Sequence, residues 1–390
     1  MSWQIVSLWA VRPGYLNILS KITMLQTSIH GQGEAGLYQK LFDDCPHALV
    51  QQSIPWSYVI APISPDVPYF LVVRNLDDGE IVAGLPLYYY EGRLGGILTS
   101  VPHAGPLGGI LCLKNLDDNM KEQVYRGLMK CAIELADTLK CISISIITNP
   151  FLDDEELYIT YLSPTYILKN FCQAIDLKNL FNSSNDYTTG NSNHNNDIRR
   201  NLSKASRYGI VVDWADDDDF EAWYDIHVKR HCELKARPLP KILISNILSS
   251  LKPLNMANLA VIRKDADIIG GCIYIWNREI MDVFILSSET ELMKYGGNYA
   301  LTDFAIRYFY KNGIRWFNWQ SSNPNSGVYA FKNRWGSSEM PYSFLTWTFP
   351  GFAKILSTPL EEVLKAYPWH YIAPYDAIRD QATNGVFKKG

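Results

Sequence analysis

Two stretches of the chain share one alternation of apolar and polar residues around a short polar turn. Residues 70–90 read FLVVRNLDDGEIVAGLPLYYY, and residues 259–276 read LAVIRKDADIIGGCIYIW. Each pattern predicts a strand, a turn and a second strand. The matching pairs are Val73-Arg74 with Ile262-Arg263 and Ala83-Gly84 with Gly270-Gly271, at offsets of 189 and 187 residues. The shortened second turn accounts for the different offsets, so the hairpins predict an internal repeat.

Each hairpin is followed by further strand-like sequence, a helix and another strand. In the first half these are GGILTS, GGILCL, a helix around 119–139 and CISISIIT; in the second they are IMDVFILSS, a helix around 298–312 and IRWFNWQ. Both helices carry an apolar face, formed by Val124, Leu128, Ala132, Leu135 and Leu139 in the first and by Leu301, Phe304, Ala305, Tyr308 and Phe309 in the second. The order predicts two similar α/β domains of mixed sheet flanked by helices.

The segment between the halves, NSSNDYTTGNSNHNN, has too few apolar residues to pack, and we expect a mobile loop there. A helix running into a strand is expected directly after it, then a helix over 218–233 and a rigid turn at ARPLP. The predicted division is an N-terminal extension (1–35), a first domain (36–181), the loop (182–196), a second domain (197–350) and a C-terminal extension (351–390).

Composition narrows the class of protein. The 390 residues are 47% hydrophobic and 13% aromatic, enough for large cores, and the net charge of −4 argues against broad nucleic-acid binding. Seven scattered cysteines without a CxxC pair predict reduced, buried thiols. The apolar run from Ile5 to Val11 is broken by Arg12-Pro13-Gly14, so neither a signal peptide nor a membrane span is predicted. We expect a cytoplasmic protein.

Several segments occur in an order that is typical of one family. They are RRNLSKASRYGI, GGCIYIW, KNGIRWFNW and SGVYAFKNRWG, with IVAGLPLYYY and SVPHAGPLGGIL in the first half. This order resembles the Fem-type (FemAB-like) transferases of the acyl-CoA N-acyltransferase (GNAT) superfamily, over roughly residues 36–350 and most strongly over 197–336. The resemblance implies two tandem GNAT-like domains, with the active cleft on the second domain and closed by the first.

The resemblance also implies an activity. Family members transfer an aminoacyl group from charged tRNA, or an acyl group from a thioester of CoA or a carrier protein, to an amine. The acceptor is a cell-envelope, polysaccharide or natural-product precursor, nucleotide- or lipid-linked in some cases, and peptidoglycan precursors are the best known. No tightly bound cofactor or metal is implied, tRNA contact is possible, and a peripheral place at the inner membrane face fits. The alternative is a catalytically silent GNAT-like module that binds an envelope or biosynthetic partner.

The strongest candidate for the chemistry is Lys332, because Phe331-Lys332 matches the family position beside the reacting ester. An ammonium there would stabilise the tetrahedral oxyanion of acyl transfer. The alternative is a surface lysine that stacks on Trp335. Phe331 and Tyr329 of the same segment are predicted to contact substrate. No Ser–His–Asp or Cys–His order is present, so a covalent intermediate is not expected.

Two further segments are candidates for binding phosphate. Arg199, Arg200 and Lys204 precede Arg207, and on a helix Arg200, Lys204 and Arg207 share one face, suited to a phosphate-rich ligand or to solvent. KYGGNYAL stands where a GNAT protein has its pyrophosphate loop, so Gly296, Gly297 and Asn298 are candidates for binding the donor. The alternative is a plain helix start capped by Asn298.

The remaining candidates are polar residues near the predicted cleft. His227 and His231 stand at i and i+4, but HVKRH lacks the glutamate of HExxH, so zinc is not expected. His227 is a candidate general base, with an exposed helix histidine as the alternative. Arg230 matches a basic position of the family. The others are His103, which would line the acceptor cleft, and Asn318, Gln320 and Ser321 at a strand end, whose alternative role is to cap a loop.

Overall fold

A computed structural model describes residues 25–30, 35–75, 78–100, 107–113, 116–182 and 186–379. His103 and most of the predicted N-terminal extension lie outside these residues. The first half contains β1 (Leu25–His30), α1 (Ala35–Asp44), α2 (Ile54–Ile60), β2 (Val67–Asn75), β3 (Ile81–Gly92), β4 (Gly95–Thr99), β5 (Leu111–Cys112), α3 (Asp118–Thr138), β6 (Cys141–Ile147), α4 (Glu155–Leu162) and β7 (Tyr166–Asp176).

The second half repeats this order. It contains α5 (Ser192–Arg207), β8 (Ile210–Trp214), α6 (Asp219–Glu233), α7 (Lys241–Leu251), β9 (Ala257–Lys264), β10 (Asp267–Asn277), β11 (Ile280–Ser288), α8 (Gly297–Lys311), β12 (Trp316–Asn318), α9 (Gly327–Arg334) and β13 (Ser338–Thr348). Two short helices follow, α10 (Ala353–Leu356) and α11 (Leu360–Ala366). The predicted helices at 119–139, 218–233 and 298–312 are confirmed to within one residue at each end.

The internal repeat is confirmed at the level of strand register. Val73 lies opposite Ala83 in the first hairpin, and Ile262 lies opposite Gly270 in the second. In both hairpins the register shifts by one residue next to this pair. Each hairpin then leads to a strand that runs parallel to its neighbour across a helix, β4 beside β6 and β11 beside β12. The pairing noticed in the sequence is therefore a structural equivalence.

The two halves share one sheet and exchange their last strands. The strand order is β1-β2-β3-β4-β6-β13-β7-β12-β11-β10-β9-β8, with β5 beside β3. β7 belongs to the first half by sequence but pairs with β12 of the second half. β13 belongs to the second half but pairs with β6 of the first, and β7 and β13 pair with each other. Each half thus completes the sheet of the other.

The predicted apolar helix faces form the cores of the two halves. Val124, Leu128 and Ala132 of α3 are fully buried, as are Leu301, Ala305 and Phe309 of α8. Removing an aliphatic side chain of this size from water contributes about 1.5–3 kcal/mol. These faces hold the two helices against the sheet, and the start of α8 lies near Ile262 of β9.

The predicted boundary between the polar loop and the helix that follows it needs correction. The helix expected from residue 197 begins at Ser192, because the Asn191 side chain accepts the N–H groups of Asn193 and His194 and caps it. The last five residues of the predicted loop are therefore helical. The C-terminal extension packs on the first half, where the Tyr367 hydroxyl donates to the Gly95 carbonyl.

Candidate functional site

Two neighbouring parallel strands of the second half separate partway along their length. β11 and β12 pair only as far as Asp282 and Asn318. Beyond this point β11 continues beside β10, whereas the chain after β12 follows β7 through the N–H of Trp319, which donates to the carbonyl of Gln173. The carboxyl ends of diverging strands are a common ligand site in α/β sheets. In the first half, β4 stays beside β6 until β4 ends at Thr99. The candidate site therefore lies in the second half.

Lys332 is buried at this divergence. It lies on α9, is 5% exposed, and its Nζ donates to the carbonyls of Gln320 at 2.9 Å and Ser321 at 3.2 Å. Burial lowers the pKa of Lys332 to about 8, because the charged form has lost part of its hydration. The alternative of a surface lysine stacked on Trp335 is therefore wrong. The segment that the sequence showed as a loop-borne cation is a short helix with its lysine turned inward.

The three polar residues predicted at the strand end lie beside Lys332. Gln320 adopts a left-handed conformation with φ of +61°. The Asn318 side-chain carbonyl accepts the Gln320 N–H at 3.0 Å, and this bond steadies the turn that presents two carbonyls to the ammonium. Ser321 is exposed, and its hydroxyl lies 2.7 Å from the hydroxyl of Tyr342. Gln320 and Ser321 thus contact Lys332 through their backbone carbonyls, whereas Asn318 reaches it only through Gln320, and the functional role of all three stays a prediction.

Gln173, which the sequence reading missed, connects the parts of this site. It is fully buried on β7, and its Nε2 donates to the Tyr329 carbonyl, the Asn333 side chain and the Ser337 hydroxyl at 3.2–3.3 Å. Its Oε1 accepts from the Ser322 hydroxyl at 2.5 Å. Gln173 therefore ties α9 to the loop that follows β12. The only sequence signal was one amide within the otherwise apolar run FCQAI.

Aromatic rings pack around Phe331 on α9. The Phe331 ring lies 5.1 Å from that of Tyr299, 5.9 Å from Trp319 and 6.4 Å from Trp335, measured between centroids. Edge-to-face contacts between aromatic rings stabilise a packed side chain beyond what the burial of its apolar surface contributes. Phe331 thus helps to fix the helix that carries Lys332. Tyr329 lies on the same helix, and its hydroxyl donates to Glu339 at 2.6 Å.

The start of α8 lies against α5. Gly296 has φ of +86°, and a Cβ there would lie 2.6 Å from the carbonyl of Asn201, so only glycine fits. Gly296 is the N-cap residue and provides no side-chain cap, while Gly297 and Asn298 begin the helix. The alternative in which Asn298 caps α8 is therefore wrong. Because no side chain caps α8, the backbone N–H groups of its first turn remain able to donate to an anion.

The basic residues of α5 differ in their exposure and in their partners, and the predicted shared face of Arg200, Lys204 and Arg207 stays a prediction. Arg200 is exposed and pairs with Asp197 at 2.6 Å, and Arg199 bonds Asn196 and lies 3.9 Å from Asp186. Both arginines are thus partly neutralised by neighbours on or near their own helix. Lys204 is half-buried on the part of α5 that packs against the start of α8.

Arg230 serves a local structural purpose. Its guanidinium donates to Glu233 at 2.9 Å and to the Thr290 hydroxyl at 2.6 Å, and Thr290 in turn donates to Glu233. These bonds fasten α6 to the loop between β11 and α8. Arg230 therefore fixes the entry to the predicted donor loop, and direct contact with substrate stays a prediction.

His227 differs from both sequence interpretations. It is fully buried, its Nδ1 lies 3.0 Å from the Ser287 hydroxyl, and its Nε2 accepts the Leu239 N–H at 3.2 Å. Burial lowers the pKa of His227 to about 4, with a smaller effect of His231 in the same direction. It is neither an exposed histidine nor suited to act as a general base, because its lone pair is already bonded. Its geometry connects α6, β11 and the α6–α7 turn.

We expect His227 to make stability depend on pH. An unfolded histidine titrates near 6.5, above the folded value of about 4, so the unfolded chain binds more protons over this range. The stabilisation is complete above pH 6.5 and declines as the pH falls toward 4. Chemical denaturation at pH 7.5 and pH 5 measures the decline. His227→Gln should lower stability at pH 7.5 and make the decline smaller, and an unchanged decline would show that other groups cause it.

The described residues contain no group of three or more His, Cys, Asp or Glu side chains arranged to hold a metal ion. The Nδ1 of His231 is close to the His227 carbonyl, at 2.9 Å. Zinc binding by this pair would require breaking the bonds of His227 to Ser287 and Leu239. Within the part of the chain that the structure covers, no helix has the length and apolar character needed to cross a bilayer.

One comparison with known protein families gives a match within the second half. Residues 192–333 match the family model described as an acetyltransferase (GNAT) domain. No curated protein sequence matches the chain.

Among solved structures, FemX is similar with a TM-score of 0.64 at 11% identity, covering 82% of this chain and 97% of that one. The C-terminal domain of a putative lysylphosphatidylglycerol synthetase from Agrobacterium fabrum gives 0.54 at 11% identity, covering 87% and 99%. A protein of unknown function from Bacteroides thetaiotaomicron gives 0.52 at 11% identity, covering 84% and 100%. At these identities the structural likeness shows the fold.

Proposed function

We propose that this chain, which carries an acetyltransferase (GNAT) domain in a FemX-like fold, transfers an acyl or aminoacyl group to an amine. The observation that carries the proposal is the buried Lys332 ammonium at the divergence of β11 and β12. Burying a charge without a counter-charge costs free energy that hydrogen bonds to two carbonyls offset only in part, and a functional role would explain why the position holds a lysine. An ammonium held at a fixed position next to the reacting carbonyl is what the oxyanion of acyl transfer requires.

The reaction needs little covalent participation by the protein. The acceptor amine attacks the carbonyl carbon of the ester or thioester, a C–N bond forms, and the carbonyl oxygen takes the negative charge. When the tetrahedral intermediate collapses, the C–O or C–S bond breaks and the leaving group takes up a proton, while the nitrogen releases one to solvent. The protein orients both substrates and stabilises the oxyanion.

Lys332 has one donor to spare for this task. An ammonium has three N–H groups, and two are used by the Gln320 and Ser321 carbonyls. No third acceptor is recorded for Lys332 among the described residues. One well-placed donor of this kind contributes about 3–4 kcal/mol to the transition state. The two carbonyls fix the nitrogen, so the third N–H has a defined direction.

The donor is proposed to bind at the start of α8. The uncapped amides of Gly297 and Asn298 would hold a phosphate of CoA, of a carrier-protein arm or of a tRNA 3′ end. Lys204 belongs to the part of α5 that packs against this start. The donor's reactive carbonyl would then extend from α8 toward Lys332. No tightly bound cofactor is proposed, because the donor is consumed in each turnover.

The acceptor is proposed to be an amine-bearing precursor of the envelope, of a polysaccharide or of a natural product. Arg199, Arg200 and Arg230 are proposed contacts for a nucleotide- or lipid-linked acceptor, although each now has a protein partner that a ligand would have to share. The name of the Agrobacterium protein raises lysyl transfer to a lipid as a further case to test.

A panel of donors and acceptors tests the proposed function. Purified protein is incubated with acetyl-CoA, longer acyl-CoA or a mixture of charged tRNAs. The acceptor is a nucleotide-linked muramoyl pentapeptide, a glucosamine-containing oligosaccharide or phosphatidylglycerol vesicles. Product masses identify the transferred group, and stability to hydroxylamine distinguishes an amide from an ester.

We expect an amide product with one donor class. An ester formed only on phosphatidylglycerol would replace amine transfer by transfer to a hydroxyl. The alternative, a silent binding module, predicts no product with any pair, together with binding of an acceptor that Lys332→Met leaves unchanged.

A further inference from the structure

A continuous series of hydrogen bonds joins the first half of the chain to Lys332. Gln51 Nε2 donates to Asp282 Oδ2 at 3.1 Å, and Asn318 Nδ2 donates to Asp282 Oδ1 at 2.6 Å. Asn318 Oδ1 accepts the Gln320 N–H at 3.0 Å, and the Gln320 carbonyl accepts from Lys332 Nζ at 2.9 Å. The series crosses from a 3₁₀ turn at Val50–Gln52 through β11 and β12 to α9.

The centre of this series is a buried carboxylate without a cationic partner. Asp282 is 2% exposed, and no ion pair involving it is recorded among the described residues. Burial raises the pKa of Asp282 to about 6, and its bonds with Gln51 and Asn318 oppose the rise. It is therefore mostly charged at neutral pH. An aliphatic residue would suit this position better for stability alone, so the carboxylate calls for a further explanation.

Asp282 does not fit the role of a group that touches substrate. Both of its oxygens accept bonds from amides, and it lies at the last paired position of β11 and β12, below the divergence. Its influence reaches the site through Asn318. Because the Asn318 Nδ2 is held by Asp282, the Asn318 Oδ1 is oriented to accept the Gln320 N–H, and this bond fixes the left-handed turn at Gln320.

We propose that Asp282 is a positioning residue for Lys332, acting through Asn318 and the Gln320 turn, and that Gln51 links the first half to this assembly. The inference rests on the proposed function for its catalytic meaning, because Lys332 must be placed to serve the oxyanion. The positioning itself is independent of turnover. It can therefore be measured on the lysine directly.

Two substitutions separate hydrogen bonding from packing. In Asp282→Asn, the new carbonyl can accept from Asn318, and the new amide can donate to Gln51 Oε1, which has no partner among the described residues, once the Gln51 amide rotates. Asp282→Leu keeps the branched skeleton of four heavy atoms, although its methyl groups are larger than the carboxylate oxygens, and removes every bond. Asp154→Leu is the matched control, since Asp154 is another buried carboxyl, bonded to Tyr125 in the first half.

The measurement is competitive labelling of the full-length protein with acetic anhydride between pH 7 and 10, with the Lys332 peptide quantified by mass spectrometry. In Asp282→Leu the turn loosens, and at pH 10 Lys332 should be labelled at least about fivefold faster than in the native protein, because a buried, bonded amine becomes accessible while its pKa rises back toward the ordinary lysine value of about 10.4. Asp282→Asn and Asp154→Leu should stay within twofold of native. Asn318→Ala, as a second break in the series, should behave like Asp282→Leu.

Native labelling rates for Lys332 in both Asp282→Leu and Asn318→Ala would overturn the proposal, as would equally fast labelling in Asp154→Leu. If Asp282→Leu does not fold, Asn318→Ala alone decides. Failure of the proposed function is a separate result. It would appear as no product with any pair of donor and acceptor, while the labelling of Lys332 in the Asp282 and Asn318 variants still follows the pattern above.

Discussion

Replacing Lys332 by methionine is expected to lower the transfer rate by about two to three orders of magnitude, the scale for losing one oxyanion donor. The donor KM should change less, because the interaction forms in the transition state. Two carbonyls lose their partner, and a buried acceptor without one costs about 1–3 kcal/mol. Removal of a poorly solvated charge offsets part of this cost. Single-turnover kinetics with the identified substrate pair measure the rate.

Two variants control this experiment. Lys311→Met makes the same change at an exposed lysine on the last turn of α8 and should leave the rate within twofold. Lys332→Gln keeps a neutral hydrogen-bond donor. Compared with Lys332→Met, it should recover more of the stability that the loop contacts provide than of the transfer rate, because it has no positive charge. A Lys332→Met protein with near-native turnover would give Lys332 a purely structural role. A loss of rate that is proportional to the loss of stability in both Lys332 variants would also indicate a purely structural role.

The pH dependence offers a second readout of the same residue. The ammonium is the active form, and the pKa of Lys332 is lowered to about 8, so this contribution is present below pH 8 and lost above it. The acceptor amine must be neutral, which favours higher pH. The native rate should therefore pass through a maximum, and Lys332→Met should lack the alkaline limb.

Separating the two halves is expected to abolish cooperative folding of both. β13 pairs only with β6 and β7, and both of these strands belong to the first half. A fragment that starts at residue 183 would leave β13 without neighbours and expose the buried Tyr342, Leu345 and Trp347. The fragment ending at Asn182 would lose the strand between β6 and β7. Calorimetry of each fragment should show no cooperative transition, unlike the full chain.

Co-expression of the two fragments should restore a complex that melts cooperatively, because all strand pairs can form again between chains. Among the described residues, those next to the break after Asn182 belong to no strand or helix. A cooperative transition in the isolated second half, at the temperature of the intact protein, would contradict the exchanged-strand account.

The repeat could be predicted because its signals are local. The hairpins contrast apolar alternation with a polar turn, and the faces of α3 and α8 follow from residues three and four apart. The convergence of Asn318, Gln320 and Ser321 on Lys332 was also within reach, since all four lie in one segment of the chain. Local periodicity and proximity along the chain carried these predictions.

The missed features depend on contacts between distant segments. Gln173 reaches α9 only because β7 is exchanged, and Gln51 reaches Asp282 across 231 residues of sequence. Neither interpretation of His227, as a general base or as an exposed helix histidine, predicted its burial, since nothing in HVKRH indicates that Ser287 and Leu239 enclose it. The burial of the Lys332 side chain likewise follows from the helical conformation of α9, which the polar sequence before it did not predict.

Hydrogen–deuterium exchange with and without the identified donor tests the central claim most directly, namely that the donor binds and reacts where β11 and β12 diverge. The account predicts slower exchange in residues 283–299 and 319–322 upon donor binding, with the first-half helix start at 117–120 unchanged. Slower exchange confined to the first half, with the second-half segments unchanged, would contradict it.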